Sequence, residues 1–338
     1  MGERPHSGID VPGVVGRRDF LRAAAAASAG SAALLAFGCS SSSKDSATAT
    51  APAETPGPGV TPAAAGGITP VMLTAEFAVN QPNRFAVGLL DAQRRIVSGA
   101  DVHLRFFTIA ADNSNGSVRA EGDAVFEQLS ITGAHAHDRT TGEPPTGDDI
   151  GFYVATVPFD QVGSWGVEMQ VKPKDGSAGA TVQAPFKVLQ AFQTPGPGAE
   201  PPKSQNDTVA TNPNAASLCS RDPACPLHDK VIGDVIGRGR PLVVQFSTPA
   251  FCQTRFCGPV LEVVLDQAPG FQDNIDFVHI EVWQDFQLQK RRAAVDEWKL
   301  PSEPYTFFID KTGVVAARIE SIFTDKELRG ALEKLPDL

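Results

Sequence analysis

The chain has 338 residues, 29 basic and 39 acidic, for a formal net charge of −10. That length has room for two domains plus tails, and the acid excess argues against nonspecific nucleic-acid binding, which depends on neutralising phosphates. The 31 Gly and 27 Pro are clustered, which points to linkers rather than to collagen-like or wholly disordered chain, and no apolar run long enough to span a bilayer lies beyond about residue 40.

Residues 1–38 read as an address. Arg17 and Arg18 are followed by Phe20 and Leu21, then by a small-residue apolar stretch from Ala23 to Phe37, the charged-then-apolar pattern of an export signal. The paired arginines resemble a twin-arginine signal. The Leu35-Ala36-Phe37-Gly38-Cys39 run resembles a lipoprotein processing site. The resemblance implies a lipid on Cys39 and a protein anchored on the outer face of the cytoplasmic membrane. The alternative is an ordinary cleaved signal in which Cys39 has no role. Beyond residue 38 the chain carries 25 basic and 36 acidic residues, net −11, so the signal hides no basic protein.

Residues 39–67 are rich in Ser, Thr, Ala, Pro and Gly and predict a flexible tether. Over 68–190 the apolar residues alternate with polar ones: Phe85, Val87, Leu89; Val102, Leu104, Phe106; Trp165, Val167, Met169, Val171; Val182, Ala184, Phe186, Val188. Each set predicts a half-buried strand, and together they predict an all-β antiparallel sandwich. The Gly151–Val157 and Gly163–Glu168 runs resemble the Ig-like periplasmic sandwiches of the FixH and CopC type. Residues 191–224 begin Ala-Phe-Gln-Thr-Pro-Gly-Pro-Gly and predict a Pro/Gly-rich linker.

From 225 to 338 the pattern is α/β. Pro241–Phe246 is apolar enough for a strand covered on both faces. A helix over Gly258–Gln267, a strand over Ile275–Val282, a helix over Phe286–Trp298 and strands at Tyr305–Ile309 and Val314–Ile319 follow. Thr324 and Glu327 form a capping box that opens a last helix ending near Leu335. The order mixes parallel crossovers with a final hairpin. Val243–Phe246 followed by Cys252 and Cys257, with Trp298–Pro304 and Tyr305–Gly313 later, resembles the thioredoxin fold: a mixed central sheet flanked by helices. The resemblance implies thiol–disulfide exchange by Cys252 and Cys257, with Pro304 as a cis-proline beside them, acting on extracytoplasmic protein thiols or disulfides.

The spacing departs from that family, with four residues rather than two between the cysteines. Residues five apart in a helix have Cα atoms about 8.6 Å apart, beyond the roughly 4.4–6.8 Å that a disulfide spans. If the two pair, Cys252 lies in a loop and the helix starts near Cys257. Pro259 suits such a start. The helix dipole, aided by Arg255, would favour a thiolate there. Which cysteine attacks stays open. Gln245 falls near a position where some thioredoxins hold a proton-moving acid, and His279 could serve as proton acceptor instead or be an ordinary core histidine.

Cys219 and Cys225 read as a second, structural disulfide that pins the linker, or alternatively as a second dithiol. No cofactor is required, and no metal ligands are assigned. Copper binding or delivery of the SCO type is an alternative to exchange. His279, the only histidine after Cys257, lies on a strand rather than in a late loop, which counts against it. His135, His137 and His103 read as solvated, as do Glu262, Arg291 and Arg292. A third reading is a noncatalytic binding or assembly module with a static Cys252–Cys257 bond.

Overall fold

The computed structural model describes residues 67–129, 150–250 and 256–338. The signal, most of the tether, Cys39, His135, His137, Cys252 and Arg255 lie outside the described residues.

The first half is all β. Its strands are β1 (Thr69–Met72), β2 (Phe77–Ala78), β3 (Pro82–Leu90), β4 (Asp101–Ile109), β5 (Asn115–Gln128), β6 (Gly151–Pro158), β7 (Gly163–Lys172) and β8 (Ala180–Leu189). They form one curled sheet in the order β1-β3-β6-β5-β4-β7-β8-β2. All neighbours described are antiparallel except the short β2–β8 pair. The period-two residues do face inward: Phe85, Val87, Leu89, Val102, Leu104, Phe106, Trp165, Val167, Met169 and Val171 are all buried. An aromatic nest of Phe77, Phe85, Phe106, Phe159 and Phe186 fills the fold, with ring centroids 4.8–6.5 Å apart.

The second half is built on a four-stranded sheet of β9 (Leu242–Ser247), β10 (Asp276–Glu281), β13 (Tyr305–Ile309) and β14 (Val315–Glu320), in the order β10-β9-β13-β14. β10 runs parallel to β9, while β13 is antiparallel to both β9 and β14. Every residue of β9 and β13 is buried, as an apolar strand covered on both faces requires. Five short or medium helices accompany it: α1 (Ala215–Leu218), α2 (Ile232–Val235), α3 (Cys257–Gln267), α4 (Ala293–Glu297) and α5 (Asp325–Lys334). One face of the sheet packs Val243, Phe277 and Phe308 against Val260 and Val264 of α3 and Leu328 and Leu332 of α5. The other packs Leu242, Val244, Phe246 and Phe307 against Ile232, Val295 and Trp298. Thr324 and Glu327 make the expected reciprocal capping box at the start of α5.

One expected element differs. Instead of a helix over Phe286–Trp298, the chain makes a small hairpin, β11 (Trp283–Asp285) with β12 (Lys290–Arg291), followed by the five-residue α4. The Asp285 carboxylate accepts from the Leu288 amide, and Gln289 takes a φ of 53°, which closes the turn. The segment therefore forms no helical buried stripe ahead of α4, and Leu288 is 76% exposed.

The expected linker is not a loose spacer. Gly198 and Ala199 bond the backbone of Val315, Trp298 donates its indole N–H to Ser204 (3.0 Å), and Asn206 accepts from the Ile232 amide (2.8 Å). The described residues all belong to one compact unit. The β half meets the α/β half through Leu73, Ala86 and Phe152 against Ile322, Phe323 and Leu328. At the rim, Arg84 pairs with Glu327 at 2.9 Å. Deeper in, Arg318 on β14 reaches Glu76 at 2.6 Å and Thr194, with its guanidinium 3.7 Å from the Phe192 ring centroid.

Candidate functional site

The site assembles at the C-terminal ends of β9 and β10. Leu227 accepts a hydrogen bond from the His279 amide (2.8 Å), so the 225–228 segment lies along the outer edge of β10. This places His228 beside His279. Just upstream, Cys219 follows α1. The Ser220 amide donates to Glu281 (2.6 Å), and Ser220 Oγ accepts from the Ala250 amide (3.1 Å). Arg221 ties the same loop to α3 by a paired contact with Glu262 at 2.7 and 3.2 Å.

These anchors converge four side chains. Cys225 Sγ lies 3.3 Å from His228 Nε2 and 3.3 Å from His279 Nδ1, Cys219 Sγ lies 3.7 Å from His279 Nδ1, and the two imidazole nitrogens are 3.2 Å apart. All four donor atoms fall within 4.8 Å of one another, and all four residues are buried. Such a Cys2His2 cluster can hold a metal ion. His279 Nε2 sits 3.1 Å from the Ser247 carbonyl oxygen. The Ser247 hydroxyl lies at the same 3.1 Å; a proton on Nε2 satisfies the carbonyl, which only accepts, and leaves the Nδ1 lone pair facing the sulfurs.

The electrostatics couple the four groups. A hydrogen bond from the Cys225 thiol holds Cys219 far below the ordinary thiol range, assisted against burial by His228 and His279. Cys225 is pushed up by that same bond, by burial and by the Cys219 charge. Burial lowers His228. Burial works against the charged form of His279 too, but the Cys219 thiolate and Glu281 outweigh it and raise that group.

The expected residues are therefore distributed differently from the sequence reading. Cys219 and Cys225 are free thiols, not a disulfide. Their sulfurs face two imidazole nitrogens as well as each other. His279 stands in this cluster. His228, which the sequence reading passed over, completes it. The signal was there as Cys219-x5-Cys225-x2-His228, close spacing of thiolate and imidazole donors. Cys257 is the first residue of α3, fully buried and disulfide-bonded; its expected partner, Cys252, lies outside the described residues. The Glu303–Pro304 bond is cis, as expected for Pro304.

Gln245 is fully buried and holds no proton to move: its amide donates to the Phe246 carbonyl, and its oxygen accepts from Thr306 across the β9–β13 pair. Two acids stand near these residues: Glu281, buried at the end of β10, and Glu303, partly buried before Pro304. Burial raises both carboxyls. Glu303 accepts from the Trp283 indole (3.1 Å), while Glu281 Oε1, Glu303 Oε2 and Thr248 Oγ1 are buried without a hydrogen-bond partner. His103 pairs with Asp123 (2.7 Å) on an exposed strand face, and Arg291 and Arg292 make partly exposed ion pairs. Glu262, expected to be solvated, is instead buried under Arg221.

No protein-family model matches the chain, and no curated protein sequence matches it at a significant level.

Proposed function

We propose that the chain is an exported, lipid-anchored, thioredoxin-like thiol–disulfide oxidoreductase that exchanges through Cys252 and Cys257, attached to the membrane at Cys39. The observation that carries this reading is Cys257: a disulfide-bonded cysteine at the first residue of the 11-residue helix α3. There, the unpaired amides and the helix dipole favour the thiolate that reduction produces. The parallel β9–β10 pair, the antiparallel β13 and the β14 hairpin support a thioredoxin-like sheet. The curled all-β half is consistent with an Ig-like sandwich.

In the exchange, a substrate dithiol attacks the Cys252–Cys257 bond through a mixed disulfide. The substrate loses two electrons and two protons and becomes a disulfide, and the two cysteines become thiols. Pro304 shapes the edge on which an extended substrate would lie. Gln245 cannot take the proton, and His279 faces the other cysteine pair. Of those two carboxyls, Glu303 adjoins Pro304 and is held protonated more readily than a surface acid.

Copper handling is the second reading; its donors would be the Cys2His2 cluster rather than an SCO-type set, although the charge of that cluster ranks Cu(I) behind Zn²⁺. His279 turns its Nδ1 to Cys219, Cys225 and His228. Copper would therefore sit in that cluster and not with Cys252 and Cys257.

The test is the reduction potential of the Cys257 disulfide in the mature protein, read by equilibration in graded glutathione buffers and mass-resolved alkylation. A value between about −270 and −120 mV matches known exchange proteins. A bond that resists reduction below about −300 mV is structural and removes the reading.

A further inference from the structure

We infer that Cys219, Cys225, His228 and His279 bind one Zn²⁺ in a closed tetrahedral site that locks the 219–228 segment onto β10. The separations fit the ion. Zinc–nitrogen bonds of about 2.05 Å and zinc–sulfur bonds of about 2.3 Å require tetrahedron edges of about 3.3 Å between nitrogens, 3.5 Å between nitrogen and sulfur and 3.8 Å between sulfurs. The cluster shows 3.2 Å between its imidazole nitrogens and 3.3, 3.3 and 3.7 Å between nitrogen and sulfur. The ligands come from two stretches, Cys219-x5-Cys225-x2-His228 and the strand residue His279, and the backbone bond from His279 to Leu227 already fixes these stretches side by side.

The donor set chooses among metals. Thiolate and imidazole are poor ligands for Mg²⁺ and Ca²⁺, and a tetrahedral S2N2 set is unsuited to Cu(II), which prefers tetragonal sites. Charge separates Zn²⁺ from Cu(I). Two thiolates and two neutral imidazoles carry −2, so Zn²⁺ makes the site neutral and Cu(I) leaves −1. The four residues are 0–4% exposed, and Arg221, the cation beside the thiols, is already paired with Glu262. An uncompensated negative charge in such a place is costly. With four protein ligands, all buried, no coordination position is left for water or substrate, which marks a structural site rather than a catalytic one. The carbonyl of Ser247 supplies the outer contact that orients His279.

The test uses the full chain, purified folded and without chelators, with metals counted by plasma mass spectrometry. About one zinc per chain is expected in the wild type and in Cys252→Ser/Cys257→Ser, and zinc is expected to be lost in Cys219→Ser/Cys225→Ser. His228→Ala is expected to weaken zinc by more than about 100-fold, beyond what outer contacts contribute. Because a ligand variant can fail by misfolding, the wild type is also stripped under reducing conditions and titrated with Co²⁺. Intense tetrahedral d–d bands and a thiolate charge-transfer band, both removed by Zn²⁺, are expected. Three results overturn the inference: wild type that holds no zinc and shows no such bands, zinc that persists in Cys219→Ser/Cys225→Ser, or Cu(I) that displaces zinc at equal concentration. None of these outcomes depends on the potential of the Cys257 disulfide.

Discussion

Arg318→Ala tests whether the two halves behave as one unit. Arg318 and Glu76 have side chains only 7% exposed, and their contact at 2.6 Å joins β14 to the segment before β2. Glu76 also accepts from the Gln193 amide (3.0 Å) and the Thr194 hydroxyl (2.6 Å), so the carboxylate is fixed and cannot swing into water when its cation goes. Removing one partner of a buried ion pair costs about 3–5 kcal/mol. Loss of the guanidinium stacked on Phe192 adds about 0.5–2 kcal/mol. Urea slopes for a unit of this size lie near 3 kcal/mol/M at the upper end of the usual range, so the midpoint should fall by about 1–2 M. The assay is equilibrium urea unfolding followed by tryptophan fluorescence and by far-UV circular dichroism, with Trp165 reporting on the β half and Trp298 on the α/β half. A single shared transition is expected. Glu76→Gln with Arg318→Met, which removes both charges, should recover most of the loss. A midpoint shift under about 0.3 M, or a double variant that loses the sum of the single losses, refutes the coupling.

Two further outcomes follow from other buried contacts. Glu320 is fully buried, accepts from the Ala75 and Glu76 amides (3.0 and 3.2 Å) and from the Tyr305 hydroxyl (2.5 Å), and burial raises its carboxyl above 4.5. A raised acid contributes stability that is complete below about pH 4.5 and is lost as the pH climbs through the folded-state value. Glu320→Gln should therefore gain on the wild type in urea midpoint between about pH 4 and about pH 8, and a constant difference across that range contradicts the shift. Arg221→Ala strips the cation from Glu262, which is 8% exposed, and frees the loop carrying both free thiols. It should cost about 1.5–3 kcal/mol and weaken zinc roughly tenfold, measured by chelator competition; unchanged zinc affinity would show that the loop is held without it.

Strands were legible wherever burial imposed a period. Trp165 to Val171 alternate because one face of β7 meets the core, and Tyr305 to Ile309 are continuously apolar because β13 is covered on both faces. The capping box at Thr324 and Glu327 is a local device, and local devices can be read from a few residues. The 286–298 segment misled because its mixture of apolar and charged residues does not announce the turn at Asp285–Gln289, where the Asp285 carboxylate accepts from the Leu288 amide. The metal-competent cluster was half legible. Cys219, Cys225 and His228 are close in sequence, but the fourth donor is 51 residues on and is delivered by a β-bridge-like contact at Leu227 that no local pattern announces. The Arg318–Glu76 junction spans 242 residues, and sequence alone gives a lone arginine on a strand no reason to be buried.

Cys257 and the Cys219–Cys225 pair have different surroundings. Cys257 begins a helix, where the dipole makes a thiolate a good leaving group. Cys219 and Cys225 are 2% and 4% exposed and face imidazoles, not a helix terminus. Yet Cys257 is a close neighbour of the second pair: Cys219 and Cys225 pack on Leu261, one turn along α3 from Cys257, and Ser220 accepts from Ala250. If Cys257 exchanges as proposed, two free thiols so near it would compete with any substrate for its disulfide. A metal on Cys219 and Cys225 would draw on a lone pair of each sulfur, lower its nucleophilicity, and hold the loop that Ala250 leans on. The exchange reading and the zinc inference are separate claims with separate tests, but the packing of the two sites gives a physical reason for both to occur in one chain.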